Sequence, residues 1–196
     1  MSKNEEKEKN LSDNELVKII CQKDVARYDE IIDRYQGKLF AYLYRLMGSK
    51  EDADDVLQDV FLKAYENLKS YDPKRKFSSW IYRISHNEAV NYIRRKSLKK
   101  FISWENIVMS KDKLEMSNSE NGADKIFLKK ERKQELERAL EKLPFKYRQI
   151  LLLRYFSEKS YQEISEILAK PINTVGTLIS RAKEKLYFEM KKERSL

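Results

Sequence analysis

The 196-residue chain is poor in the residues that support disulfide-rich, zinc-binding and all-β proteins: it has one cysteine, one histidine, four glycines and three prolines. Cys21 cannot form a disulfide within the chain, so we interpret it as a small residue on a helix face rather than a nucleophile. His86 has no second histidine and no pair of cysteines with which to build a zinc site. A β-sandwich or β-barrel needs a turn every ~8–12 residues, and so few glycines and prolines argue against one.

Long apolar segments are also missing. The run 150–153 is among the longest, and Arg148 and Arg154 flank it closely, whereas a membrane-spanning helix needs ~20 apolar residues. The charged first ten residues do not match the apolar segment of a signal peptide. We therefore predict a cytoplasmic protein without membrane insertion, and we expect the free protein to be a monomer.

The net charge of +9 is distributed unevenly along the chain. Residues 1–73 carry a balance of −4, residues 74–100 carry +8, residues 101–144 are neutral and residues 145–196 carry +5. A basic surface kept for solubility would spread its charge more evenly. Two separated basic segments instead predict a polyanionic partner that is contacted in two places, of which nucleic acid is the natural candidate.

Apolar residues recur at helical spacing through most of the chain, and no strand-like alternation competes with them. Capping boxes, a glycine stop and a serine cap mark helix ends at Ser12 with Glu15, Gly48, Ser49, and Ser160 with Glu163. The predicted fold is all-α, with two small helical domains over residues 1–97 and 126–196. A flexible linker over residues 98–125 is predicted between them, and its first part is unusually apolar.

The pair of helices at the end of the second domain has the pattern of a helix-turn-helix, with a tight turn at 169–171. Asn173 is the expected cap of the second helix, whose N-terminus can bind phosphate. Short polar groups and cations are expected on its outward side: Thr174, Gly176, Thr177, Ser180, Arg181 and Lys183. A plain helical hairpin is the alternative, and the basic flank favours DNA binding.

Aromatic and basic residues alternate between Tyr71 and Lys96. The aromatic residues are Tyr71, Phe77, Trp80, Tyr82 and Tyr92, and the cations are Lys74, Arg75, Lys76, Arg83, Arg94, Arg95 and Lys96. This combination is typical of surfaces that bind single-stranded nucleic acid, where stacking contributes ~1–3 kcal/mol per base. Each aromatic residue alone is more often part of a core, and only the clustering favours stacking.

The segment 51–59 contains five carboxylates and no basic residue. A metal-dependent nuclease would need carboxylates that converge from different elements, whereas these lie on one helix whose inner face is apolar. The acids therefore point largely outward, and a docking surface for a basic protein is the better interpretation. No glycine-rich phosphate loop is present in the sequence, and we expect neither a cofactor nor an enzymatic activity.

Four segments resemble a known family. EDADDVLQDVFLKAY (Glu51 to Tyr65) and FSSWIYRISHNEAVNYIRR (Phe77 to Arg95) resemble the core domain of bacterial RNA polymerase sigma factors. LPFKYRQILLLRYFSEKSYQEISEIL, from Leu143, and PINTVGTLISRAKEKL, from Pro171, resemble their promoter-reading C-terminal domain. A short chain with only these two domains is similar to the extracytoplasmic-function group.

The resemblance implies a promoter-specificity subunit that binds core RNA polymerase and directs transcription initiation. It implies that the acidic helix docks on the polymerase β′ clamp through Asp55, Gln58 and Asp59. Melted −10 DNA would be held by the loop and helix that carry Tyr71, Lys74, Arg75, Lys76, Phe77, Trp80, Arg83, Asn87, Arg94 and Arg95. The helix-turn-helix would read the −35 element as duplex, and an anti-sigma factor is an expected partner.

The second helix of the helix-turn-helix departs from the family pattern. Many relatives carry a basic residue at the position of Gly176, and some carry another at that of Leu178. Losing such a cation removes a guanine contact worth ~1–3 kcal/mol, so no promoter sequence is assigned. Two other hypotheses remain open: a helix-turn-helix regulator that acts without polymerase, and a metal-dependent nucleic-acid enzyme that uses the acidic run.

Overall fold

The computed structural model describes residues 11–102 and 134–193, and these ranges contain helices and turns but no strand. The first range forms α1 (Asp13–Gln22), α2 (Tyr28–Met47), α3 (Lys50–Glu66) and α4 (Phe77–Ile102), with short 3-10 turns at Val25–Arg27 and Leu68–Ser70. The second range forms α5 over 134–142, α6 (Phe145–Leu151), α7 (Tyr161–Leu168) and α8 (Ile172–Glu193). The predicted all-α class is confirmed.

The helix ends follow the local chemistry that the sequence predicts. At the start of α1, the Ser12 hydroxyl accepts the Glu15 N–H at 3.4 Å, and the Glu15 carboxylate accepts the Ser12 N–H at 2.9 Å. The same reciprocal pair forms between Ser160 and Glu163 at the start of α7, at 3.2 and 2.8 Å. Gly48 ends α2 in the left-handed region with φ 78°. These predictions are confirmed.

The core of the first domain lies between α2, α3 and α4. Its fully buried side chains include Ile31, Leu39, Leu43, Leu46, Val56, Val60, Ala64 and Ile81. Polar bonds cross the same contacts: the Tyr28 hydroxyl donates to the Phe61 carbonyl at 2.8 Å, and the Lys63 ammonium lies 2.7 Å from the Glu88 carboxylate. Glu88 is the only acid in the basic segment 74–100, and this pairing neutralises it.

The second domain contains a π-helical turn, Leu152–Phe156, which the sequence analysis did not predict. In a π-helix each N–H donates to the carbonyl five residues earlier in the chain. Here the Ser157 N–H donates to the Leu152 carbonyl at 2.9 Å. The wider turn keeps Leu151, Leu152 and Leu153 buried, whereas Tyr155 and Phe156 are exposed. The other buried apolar residues of this domain include Ile150, Ile164, Val175, Ile179 and Ala182.

The helix-turn-helix is present, with one correction at the start of its second helix. Ala169 ends α7 in the left-handed region with φ 49°, and α8 begins at Ile172. The Pro171 carbonyl accepts the Val175 N–H at 3.1 Å. Pro171 therefore supplies the first helical carbonyl, and Asn173 is the second residue of the helix rather than its cap.

The boundary between the predicted domains falls partly outside the described residues. Helix α4 includes residues 98–102, the first residues of the predicted linker. The rest of that linker and the predicted start of the second domain at residue 126 lie outside the described residues. Helix α7 of the second domain packs against α4 of the first. Within 11–102 and 134–193, no helix has the length and apolarity that crossing a bilayer requires.

Candidate nucleic-acid and polymerase interfaces

Helix α3 presents the acidic run on its outer side. Ala53 and Val56 face the core and are fully buried, as the apolar spacing predicts. Asp55 and Gln58 are exposed, and Asp59 is half-buried. The three residues that the family resemblance singles out therefore lie on one accessible side of this helix.

Asp52 differs from the other acids of α3 because it is held by α4. Its carboxylate accepts hydrogen bonds from the Tyr92 hydroxyl at 2.7 Å and the Lys96 ammonium at 2.5 Å. Burial disfavours the charged form of Asp52, but these two hydrogen bonds outweigh that effect and hold its pKa below the usual range. The hydrogen bond to Asp52 also raises the pKa of Tyr92 to about 12. Asp52 thus joins two helices, a role that could not be predicted from the sequence because its partners lie 40 or more residues away.

Three aromatic residues of the predicted −10 surface form one cluster. The ring centroids of Tyr71, Phe77 and Trp80 lie 5.3 to 5.4 Å apart. Tyr71 and Phe77 are buried, and only Trp80 is half-exposed. In this arrangement Tyr71 and Phe77 cannot stack on a base; they pack against Trp80 and fix its position.

Asn14 positions the loop before α4, a role that the sequence analysis missed. Its side-chain amide donates to the Pro73 carbonyl at 2.9 Å, and its oxygen lies 2.6 Å from the Tyr71 hydroxyl. The Tyr71 hydroxyl also donates to the Arg75 carbonyl. The residues at the two ends of the loop, Tyr71 and Arg75, are therefore joined directly. Asn14 lies 57 residues from Tyr71, and no local signal could have paired them.

One face of α4 collects the side chains that a strand could reach. At 3.6 residues per turn, Trp80, Arg83, Asn87 and Arg94 fall within an arc of roughly 60° around the helix axis. The last three of these side chains are exposed. Lys74, Arg75 and Lys76 extend the basic surface from the preceding loop and are also exposed, whereas Arg95 is exposed on the flank of the face.

His86 and Tyr82 lie on a different face of α4, and both are buried. The Tyr42 hydroxyl lies 3.0 Å from Nδ1 of His86, and burial lowers the pKa of His86 to about 4. The residues that the structure describes contain no group of three histidine, cysteine or acidic side chains that could hold a metal. Cys21 is a half-buried free thiol.

Helix α8 exposes the polar side that the helix-turn-helix prediction requires. Its exposed residues there are Asn173, Thr174, Thr177, Ser180, Arg181 and Lys183. The Thr177 hydroxyl donates to the Asn173 carbonyl at 3.0 Å. A Cβ placed on Gly176 would lie 3.8 Å from the Tyr161 ring, which is an ordinary contact. Packing therefore does not require glycine at this position.

Comparison with known proteins identifies both domains. Residues 31–98 match the family of Sigma-70 region 2, and residues 133–186 match Sigma-70 region 4. The ECF RNA polymerase sigma factor SigW of Bacillus subtilis is 35% identical over 175 residues, which cover 87% of this chain and 92% of that protein. The ECF RNA polymerase sigma-E factor of Escherichia coli is 33% identical over 180 residues, 89% of this chain and 92% of that protein.

Two solved structures share the fold. CnrH in complex with the cytosolic domain of CnrY is 21% identical, with a TM-score of 0.66, and the match covers 92% of this chain and 97% of that chain. The sigma factor RpoE in complex with the anti-sigma factor NepR from Bartonella quintana is 20% identical, with a TM-score of 0.68, and the match covers 84% and 96%. The predicted resemblance is confirmed: the chain belongs to the extracytoplasmic-function sigma factors and is a promoter-recognition subunit of RNA polymerase, not an enzyme.

Proposed function

We propose that this sigma factor divides its work among three surfaces. Helix α3 binds the β′ clamp of core RNA polymerase, α4 captures melted −10 DNA, and α8 reads the −35 element as duplex. The observation that carries the proposal is the shared face of α4, on which Trp80, Arg83, Asn87 and Arg94 lie together. An aromatic ring beside exposed cations is the arrangement that holds an unpaired strand.

The clamp-binding surface consists of Asp55, Gln58 and Asp59. Because Asp52 is engaged by α4, the charge offered to a basic partner comes from these outer positions and from exposed Glu51. Charge complementarity at such a surface speeds association and fixes orientation.

The −10 surface combines one stacking residue with several positioning residues. Trp80 stacks on a base that leaves the duplex, and Asn87 hydrogen-bonds that base. Tyr71 and Phe77 pack against the Trp80 ring and hold it in position. The phosphates are bound by Lys74, Arg75, Lys76, Arg83, Arg94 and Arg95. DNA opening then draws its free energy from base and phosphate binding, without nucleotide hydrolysis.

The −35 surface is the exposed polar side of α8. Arg181 and Lys183 contact duplex DNA, while Asn173, Thr174, Thr177 and Ser180 supply shorter hydrogen bonds. Gly176 is half-buried on this helix, with the Tyr161 ring beside the position that a Cβ would take, and we assign no base contact to it.

We assign clamp binding and −10 recognition to residues 1–97 and −35 recognition to residues 126–196, with residues 98–125 as the linker between these domains. The two family matches, 31–98 and 133–186, support an organisation in two units.

The protein acts in the cytoplasm, where bacterial polymerase and promoter DNA are located. Because a sigma factor of this fold, RpoE, is solved with the anti-sigma factor NepR, we expect an anti-sigma partner for this chain as well.

Run-off transcription with purified core polymerase and a cognate promoter tests this function. We expect transcription to depend on the chain, with Trp80→Ala abolishing it and Lys18→Ala, an exposed change on α1, having no effect. A promoter shown to be active with this factor in cells, but not stimulated by the purified protein, would refute the proposal. DNA binding and regulation without polymerase would support a stand-alone regulator, and Mg²⁺-dependent cleavage lost in Asp54→Ala would support an enzyme.

A further inference from the structure

A cavity of about 530 Å³ lies where α2 and α4 meet the turn that follows the π-helical segment. Three cations line it: Lys38 and Arg45 from α2, and Lys159 from the turn. Among the described residues of the lining, Glu158 is the one acid, and it is exposed. The lining therefore carries an excess of positive charge, and the volume is within the range of small-molecule sites, about 300–1,000 Å³.

Lys159 is a nearly buried cation that forms no ion pair with a described residue. It is only 9% exposed, and its ammonium lies 4.3 Å from the centre of the Tyr82 ring, within the range of a cation–π interaction. Burial lowers the pKa of Lys159, because the protein solvates the charge less well than water does. Buried charges in folded proteins are normally paired, so an ammonium that faces a ring and a cavity indicates a missing counterion.

The two acids whose charges act on Lys159, Glu163 and Asp13, are already engaged by other groups. The Glu163 carboxylate lies 3.5 Å from the Lys76 ammonium and also caps the start of α7. The Asp13 carboxylate lies 2.9 Å from the Arg34 guanidinium. Neither carboxylate is therefore free to move into contact with Lys159.

The two cations from α2 also lack acidic partners among the described residues. Nη1 of Arg45 donates to the Ala41 carbonyl at 3.1 Å, within the same helix, and the guanidinium lies 4.9 Å from the centre of the Phe156 ring. Nε of Arg45 is buried and has no hydrogen-bond partner in the described structure. The Lys38 ammonium is exposed and lies 6.0 Å from the centre of the Tyr35 ring. All three cations of the cavity thus contact rings or carbonyls rather than carboxylates.

The backbone of the turn fixes Lys159 at the cavity. The preceding residue, Glu158, has φ 52°, in the left-handed region that residues other than glycine rarely adopt. The Lys159 N–H donates to the Leu153 carbonyl at 2.9 Å, and the Arg154 guanidinium donates to the Lys159 carbonyl at 3.0 Å. Backbone strain of this kind persists where the surroundings enforce it, and it clusters at binding sites. A cation held in this way loses little conformational entropy when an anion binds.

We propose that this cavity binds the phosphoryl group of a small molecule, held by Lys38, Arg45 and Lys159. A phosphoryl group carries about two negative charges and three strong acceptor oxygens, which suits three cationic donors that come from two separate elements. The cavity is much larger than a phosphate ion, so it has room for the rest of a phosphorylated compound. The site is separate from the three surfaces proposed above, and its existence does not depend on promoter recognition.

Isothermal titration calorimetry of the full-length protein tests the site, with inorganic phosphate, pyrophosphate and a mononucleotide as separate probes at constant ionic strength. Chloride and the unphosphorylated nucleoside are the ligand controls. Lys159→Met removes the buried charge and keeps an unbranched stem, and Lys38→Ala removes the exposed cation of the cavity. Lys18→Ala is the matched control, because it removes the same charge from the exposed side of α1, outside the cavity. Circular dichroism verifies that each variant is folded.

We expect saturable binding of at least one phosphorylated probe, weakened about ten-fold or more by Lys159→Met, less by Lys38→Ala, and unchanged by Lys18→Ala. The melting temperature of Lys159→Met without ligand should not fall, since an unpaired buried charge has been removed. The tightest probe shows whether free phosphate or a phosphorylated compound is the ligand.

Three results would overturn the site: no saturable binding of any probe up to about 10 mM, equal binding of nucleoside and nucleotide, or equal weakening in Lys18→Ala. The last of these would show general attraction to a basic surface. If Lys159→Met does not fold, Lys38→Ala decides the question, because that side chain is exposed and its loss leaves the core intact.

Discussion

The Lys63 ammonium lies 2.7 Å from the carboxylate of Glu88, and this pair joins α3 to α4. The Glu88 side chain is 9% exposed and that of Lys63 is 48% exposed, so the acid is the buried partner. Removing the lysine leaves a charge inside the domain without its counterion, which costs more than the pair itself contributes.

We therefore expect Lys63→Met to lower the free energy of unfolding by roughly 1–3 kcal/mol. The double variant Lys63→Met, Glu88→Gln should recover much of the loss, because no buried charge then remains. Urea unfolding followed by circular dichroism measures both values. Equal destabilisation by the single and the double variant would contradict this account of the pair.

Asp55→Arg reverses a charge on the exposed side of α3 and should abolish binding to core polymerase. The folded state should be unaffected, because Asp55 is solvated and lies away from the core. Asp29→Arg, a change at another exposed acid near the start of α2, is the matched control and should bind normally. Affinity for immobilised core enzyme, with DNA binding measured in parallel, distinguishes the clamp surface from a regulator that needs no polymerase.

Trp80→Ala and Arg181→Ala should separate the two DNA functions. The first removes a stacking platform worth ~1–3 kcal/mol and should prevent opening at −10, while −35 duplex binding persists. The second should weaken duplex binding by ~1–3 kcal/mol. Permanganate reactivity of unpaired thymines reports opening, and a footprint of −35 reports duplex binding. Loss of −35 binding in Trp80→Ala, or unchanged −35 binding in Arg181→Ala, would refute the division between α4 and α8.

Acid should destabilise the protein through His86. Its pKa of about 4 in the folded protein lies below the 6.5 of an exposed imidazole, so the unfolded chain binds the proton first as the pH falls. The free energy of unfolding should therefore drop by about 2 kcal/mol from pH 7 to pH 5, beyond any change from carboxylates. In His86→Gln, which keeps a polar partner for Tyr42, this part of the drop should vanish. Identical pH profiles for the two proteins would exclude a buried neutral imidazole.

The helix ends and the inward faces of the helices could be predicted from the sequence. The capping boxes at Ser12 and Ser160 and the stop at Gly48 depend on residues within one turn of the helix end. The inward faces of α3 and α8 follow from the same short spacing. The sequence predicts Asn173 as the cap of α8, but the Pro171 carbonyl accepts the first hydrogen bond, so the helix begins before Asn173.

The sites depend on contacts that the sequence does not encode locally. Nothing near Tyr71 indicates that Asn14 holds its hydroxyl, and the burial of Phe77 follows from how α2 meets α4. The π-helical turn at Leu152–Phe156 accompanies the burial of three consecutive leucines, Leu151 to Leu153, which the regular spacing of a helix does not indicate.

The bonds from Asp52 to Tyr92 and Lys96 act together with the Lys63–Glu88 pair to fasten α3 to α4 at two points. On the proposed function, a polymerase bound to α3 consequently also sets the direction in which α4 points. The melted strand would then meet a surface whose orientation is set by the polymerase, so an error in docking would become an error in where the DNA opens.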